Sequence, residues 1–140
     1  MKFIKTAFQR KKEKNWPRLY VAVDMHQTAI TPTWSRLNEG AQLYPDAVEV
    51  LQQWTRREDI CLILWSPLHD DALAAVVKLM DSHVIRFDYL NENPEIVTGE
   101  LCKFDRKWYM DIGLDDKFGF DAEKDWTRIK DTLIEIGEWR

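Results

Sequence analysis

The chain has 140 residues and a mass of 16.7 kDa, the size of one domain with a sizeable buried core. Hydrophobic residues make up 45% and charged residues 31%, with five Gly and five Pro, which excludes disordered, fibrous and linker-rich classes. The net charge of −4 conceals an asymmetry: residues 1–18 carry seven Lys/Arg against the single acid Glu13, leaving a body of about −10.

The basic leader runs MKFIKTAFQRKKEKNW. Its apolar stretch is broken at Lys5 and no small-residue cleavage site follows, so it is not expected to be a secretory signal. Residues 1–18 are expected as an N-terminal extension, largely a solvated segment, whose bases are available to nucleic acid, to an acidic partner or to the body itself. Residues 19–140 are expected as a single domain. No apolar run approaches the length of a membrane span. Cys61 and Cys102 lie in apolar segments and read as buried thiols of a reducing compartment, which places the protein in the cytoplasm.

Leu19–Asp24 (LYVAVD) is apolar, β-branched and ends in a carboxylate, and predicts a first strand. Tyr44–Arg57 predicts an amphipathic helix, with Ala47, Val50, Leu51 and Trp54 on one stripe. Ile60–Ser66 (ICLILWS) predicts a strand buried on both faces. Ser66-Pro67 predicts a helix cap and first-turn proline, with a helix running on to about Asp81.

His83–Tyr89 (HVIRFDY) predicts a third strand. Residues 90–106 read as loop or hairpin, with turn signals at Asn93-Pro94 and Gly99. Tyr109–Asp115 (YMDIGLD) predicts a fourth strand and Asp121–Trp139 a last helix, with Trp126, Ile129, Leu133 and Ile136 on one stripe. Trp54, Trp126 and Trp139 are core candidates. This alternation predicts an α/β fold: a three-layer, Rossmann-like, mostly parallel sheet with helices on both faces and right-handed crossovers.

Ligands of such sheets bind at the carboxyl ends of the strands. The first strand ends in Asp24-Met25-His26-Gln27-Thr28, the second in Ser66, and the fourth in Asp115-Asp116-Lys117, with Lys107 just before it. Carboxylates, a hydroxyl and an ammonium at one sheet edge suit a phosphoryl group and Mg²⁺, an ion that takes oxygen ligands from one or two carboxylates plus substrate phosphate and water. An Asp carboxylate in that setting can attack phosphorus. No zinc-ligand spacing, glycine-rich phosphate loop or serine nucleophile elbow competes with this reading.

In these motifs the chain resembles the haloacid dehalogenase (HAD) superfamily of phosphohydrolases. The family's apolar strand followed by Asp-x-Asp-x-Thr is matched by LYVAVD-Met-His-Gln-Thr. Its strand ending in Ser or Thr is matched by ICLILWS, its lysine by Lys107 with Lys103 as a rival, and its strand ending in paired acids by MDIGLDD. The resemblance implies an aspartyl-phosphate on Asp24, which would also bind Mg²⁺ together with the backbone carbonyl of His26 and with Asp115 and Asp116. Thr28 would fix the loop beside the phosphate, and Ser66 and Lys107 would hold it.

His26 departs from the pattern. It stands where the family usually has a second Asp, the acid that protonates the leaving group and the base that activates water. Histidine can serve both roles near neutral pH. The alternatives are a relative that binds metal or phosphate without turnover, and a processing enzyme or binder of nucleic-acid ends that uses residues 2–18. The connections leave room for a flap (Thr31, Pro32, Thr33, Trp34, Arg36) but no cap domain, so the site is expected to be open.

Overall fold

The computed structural model describes every residue except Asp105. Four strands form one parallel sheet: β1 (Leu19–Asp24), β2 (Ile60–Trp65), β3 (Tyr89–Leu90) and β4 (Ile112–Leu114), in the order β3-β2-β1-β4. The helices are α1 (Lys2–Glu13), α2 (Ala47–Thr55), α3 (Asp70–Ser82) and α4 (Asp125–Glu135). The expected α/β class with a parallel sheet holds. β1 and β2 pair over their full lengths, Leu19 opposite Ile60 through Asp24 opposite Trp65, and β4 joins β1 with Val23 opposite Leu114.

Alternation along the strands divides the core. Leu19, Val21 and Val23 of β1, Ile60, Leu62 and Leu64 of β2, and Ile112 and Leu114 of β4 share one cluster with buried residues of all four helices. Tyr20, Ala22, Cys61 and Ile63 face the other way, against Trp108 and the partly buried Ile96, Tyr109 and Met110. The layer on this second face is therefore built by residues 91–110, in which no helix occurs among the described residues. The β3-to-β4 connection must cross back over the sheet, and right-handed crossover sends it over the face that the helices leave free.

Irregular backbone needs other anchors, and Glu95 supplies one. Its carboxylate accepts hydrogen bonds from Arg18 Nη1 (2.7 Å), Tyr89 Oη (2.7 Å) and Tyr20 Oη (3.2 Å). Asp111 supplies another, accepting from Tyr20 N (2.8 Å) and Tyr109 Oη (2.6 Å).

Several sequence expectations change in physical detail. The leader is not a solvated segment along its helical part: Ile4, Ala7 and Phe8 of α1 are buried in the main core. Three of its bases meet acids of the body, in the pairs Lys5–Glu135 (2.7 Å), Lys11–Asp59 (3.0 Å) and Arg18–Glu95 (2.7 Å). The strand expected over His83–Tyr89 is confined to Tyr89–Leu90. The β-branched Val84 that suggested a strand instead ends α3 in a left-handed turn (φ 59°), with its N–H bonded to the Asp81 carbonyl and the Ile85 N–H to the Met80 carbonyl.

Helix α3 begins at Asp70, so Ser66 does not cap it. The Ser66 hydroxyl instead accepts from Leu68 N (3.1 Å) in the turn that leaves β2. β4 and α4 are shorter than the expected Tyr109–Asp115 and Asp121–Trp139. Cys61 is buried as expected, whereas Cys102 is exposed, and both are free thiols. Trp54 and Trp126 are fully buried, and Trp139 packs at the edge of the core. Among the described residues no helix is long and apolar enough to cross a membrane.

Candidate functional site

Parallel pairing brings the acids together. β1 and β4 are neighbours with Val23 opposite Leu114, so the next residue of each strand, Asp24 and Asp115, stands at the same carboxyl edge. Asp116 opens the following 3₁₀ turn (Asp116–Phe118). One carboxylate oxygen from each of Asp24, Asp115 and Asp116 lies within 4.8 Å of the others. Ligands on opposite sides of an octahedral Mg²⁺ are about 4.2 Å apart, twice the ~2.1 Å Mg–O distance, so this donor set fits one such ion after small side-chain adjustments.

Thr28 braces the group. It is fully buried; its hydroxyl donates to Asp24 Oδ2 (2.9 Å) and accepts from the backbone N–H of Asp116 (2.9 Å), joining the β1 and β4 ends. The Thr28 carbonyl accepts from the indole N–H of the buried Trp126 in α4 (2.7 Å). This hydroxyl is fully engaged, so Thr28 is a positioning residue with nothing left to offer a phosphate.

Asp115 is held by Lys117 N (2.9 Å) on Oδ1 and by the Trp65 indole N–H (3.2 Å) on Oδ2. Among the described residues no Lys or Arg forms an ion pair with Asp24, Asp115 or Asp116. The electrostatic result is read at Asp24. Burial, reinforced by the Asp115 charge and opposed by the Thr28 hydrogen bond, pushes its carboxyl up to about 7.

His26 follows Asp24 by two residues but does not enter the cluster through its ring. With the Asn38 amide oxygen facing it, the imidazole Nε2 is the donor of a hydrogen bond to the flap. Asn38 is itself buried and donates to the Ala72 carbonyl of α3 (3.3 Å). The ring thus fastens the flap over residues 30–43, which is closed at its base by Thr31 N to the Gln42 carbonyl (2.8 Å). Trp34, at the flap's outer end, is fully exposed, and Arg36 pairs with Asp71 (2.6 Å).

Ser66 lies one residue beyond Trp65, the register partner of Asp24, and is nearly buried. Its backbone N–H donates to Asn91 Oδ1 (2.8 Å), so the β3 end fixes it. The Ser66 hydroxyl accepts from Leu68 N, and among the described residues it donates to no other group. Lys107 and Lys103 are both exposed. Lys107 lines a cavity with Trp65 and Phe118 next to the acids, but among the described residues it makes no ion pair with them. Thiol chemistry has no place here: burial pushes the Cys61 thiol up to about 12, and its contacts lie on the second core face.

The strand ends, Thr28 and the paired acids are visible in the sequence. Trp65 was marked only by its register opposite Asp24, which needs the pairing to be known. No local pattern announces the roles of Asn38 and Asn91, and the stripe that marks Trp126 as core does not disclose its bond to the Thr28 carbonyl.

No known protein-family model matches the chain, and no curated protein matches it. Among solved structures it is similar to a conserved protein from Bacteroides thetaiotaomicron, at 24% identity and a TM-score of 0.63, over 84% of this chain and 91% of that one. The likeness extends over most of the chain and supports the α/β fold.

Proposed function

We propose that the protein is a Mg²⁺-dependent phosphomonoesterase of the HAD type. The observation that carries the reading is the meeting of Asp24, Asp115 and Asp116 at one sheet edge with no basic side chain paired to them among the described residues. The order of the four motifs along the chain adds to it. Asp24, Asp115 and Asp116 would hold the ion, which when bound neutralises charge on the phosphoryl oxygens.

An Asp24 carboxylate oxygen attacks phosphorus in line with the ester oxygen. The phosphorus–ester bond breaks and its electron pair leaves with that oxygen, giving an aspartyl-phosphate. Water then adds to phosphorus, returning the Asp24 carboxylate and inorganic phosphate. Thr28 keeps Asp24 aimed, Ser66 donates its free hydroxyl hydrogen to a phosphoryl oxygen, and Lys107 supplies charge from the rim.

One observation favours a second reading, binding without turnover. His26 is occupied by Asn38, so the position that usually carries the acid and base offers no free carboxyl. A panel of phosphomonoesters assayed with and without Mg²⁺, with Asp24→Asn as blank, separates the two. Metal-dependent release of phosphate, absent in Asp24→Asn, supports hydrolysis. Mg²⁺ binding with no release, and activity gained by His26→Asp, would establish the second reading.

A further inference from the structure

Two small residues lie directly beneath the acids. Ala22 precedes Asp24 by two positions and Gly113 precedes Asp115 by two, so by strand alternation each pair points to the same face of the sheet. Ala22 and Gly113, the latter packed under the Met110 sulfur, help line a cavity of about 300 Å³. Its walls are Trp65, Trp108, Met110, Leu114 and Phe118, with Arg106 and Lys107 at the mouth.

The cavity lies beside the acid group, joined to it through residues that line it. Trp65 donates its indole N–H to Asp115, Leu114 precedes Asp115, and Phe118 ends the turn that Asp116 begins. Trp65 and Trp108 meet edge to face at 5.4 Å, while Phe118 is 85% exposed and has no cover of its own. The volume lies at the small end of the range for small-molecule sites. Aromatic walls suit a planar ring, and the two cations suit the anionic group that such a ring would carry.

The chemistry of the leaving group points the same way. With the His26 ring tied to the flap, departure of the ester oxygen cannot count on a proton from that position. A phenol, with a pKa near 10, leaves as its anion far more readily than an alkyl alcohol, whose pKa lies near that of water at about 16. We propose that the cavity holds the ring of an aryl phosphate, so that the substrate class is a small phosphate ester of a phenolic hydroxyl. The proposal rests on the phosphomonoesterase reading above.

Binding and turnover test it separately. Phenylphosphonate and methylphosphonate, whose carbon–phosphorus bonds are not esters, are titrated calorimetrically in the presence of Mg²⁺. Phenylphosphonate is expected to bind at least tenfold more tightly, and Phe118→Ala, a surface change, is expected to cut that advantage several-fold while leaving methylphosphonate unaffected. Equal affinities would overturn the ring pocket and leave the phosphomonoesterase reading intact. Binding of neither phosphonate would overturn both. For turnover, phenyl phosphate is compared with benzyl phosphate, which carries the same ring on an alkyl oxygen. An advantage of about a hundredfold or more for phenyl phosphate is expected, the scale of an absent general acid; equal rates would overturn the leaving-group argument.

Discussion

Replacing Asp24 with Asn should stabilise the metal-free protein at neutral to alkaline pH. In the folded state the Asp24 carboxyl is pushed from 3.8 up to about 7, mainly by burial. The folded chain therefore keeps a proton that the unfolded chain gives up across that window. Stability falls as pH rises through it and levels off above about 7. The full rise corresponds to ~4 kcal/mol, and because the side chain is only half-buried, solvent screening reduces this to about 1–2 kcal/mol. Asparagine carries no such cost and still accepts from Thr28. At pH 8 in EDTA, Asp24→Asn should melt ~4–8 °C above wild type, taking about 4 °C per kcal/mol for a domain of this size. Near pH 4 the two should coincide. Added Mg²⁺ should raise the wild-type melting temperature and leave the variant unmoved. Differential scanning calorimetry across pH 4–8 decides the matter. A variant less stable than wild type at pH 8, with an unchanged pH slope, would refute the crowded-acid account.

Other expectations follow from single contacts. The Arg57 side chain is 6% exposed and bonds to both Asp59 oxygens, to the Glu138 carboxylate and to the Glu138 carbonyl. Arg57→Met removes the buried partner of two acids that keep only Lys11 and Arg140, and urea denaturation should show a loss of about 1–3 kcal/mol. The same arginine and Lys11 hold the Asp59 carboxyl well below its ordinary range, so wild type loses stability as pH falls below about 4. That acid limb should flatten in the variant. Trp126→Phe removes the donor to the Thr28 carbonyl and should cost about 1–3 kcal/mol, together with weaker Mn²⁺ binding by calorimetry, because Thr28 orients two of the acids. Val84→Gly relieves a β-branched residue at φ 59° that is largely exposed, and should raise stability by about 0.5–1 kcal/mol in the same urea assay.

What the sequence disclosed depended on the range of the forces involved. Continuous apolar runs at LYVAVD and ICLILW mark central parallel strands because both faces are buried, and the acids that end the strands reach one edge by topology alone. The run at His83–Tyr89 misled because a left-handed helix stop is usually announced by glycine, and here it is filled by valine. Ser66-Pro67 looked like a cap because the motif is local, while the N-cap position of α3 falls three residues farther on, at His69. The Lys-rich leader hid its apolar face: Ile4, Ala7 and Phe8 are spaced for one side of a helix amid seven basic residues. The His26–Asn38 bond and the Glu95 hub join residues far apart along the chain, and side-chain pattern carries no trace of such pairings.

The neighbourhood of β1 has a consequence for how the molecule is made. This central strand lies near the start of the chain, yet one of its flanks is closed only by β4 and the Thr28 carbonyl only by Trp126. A ribosome that has emitted the first hundred residues has produced a sheet with a bare margin beside Val21–Val23, the kind of surface that recruits a stray strand. The proposed cation affinity should thus emerge late in synthesis, and a fragment ending before Ile112 should both lack it and be prone to self-association.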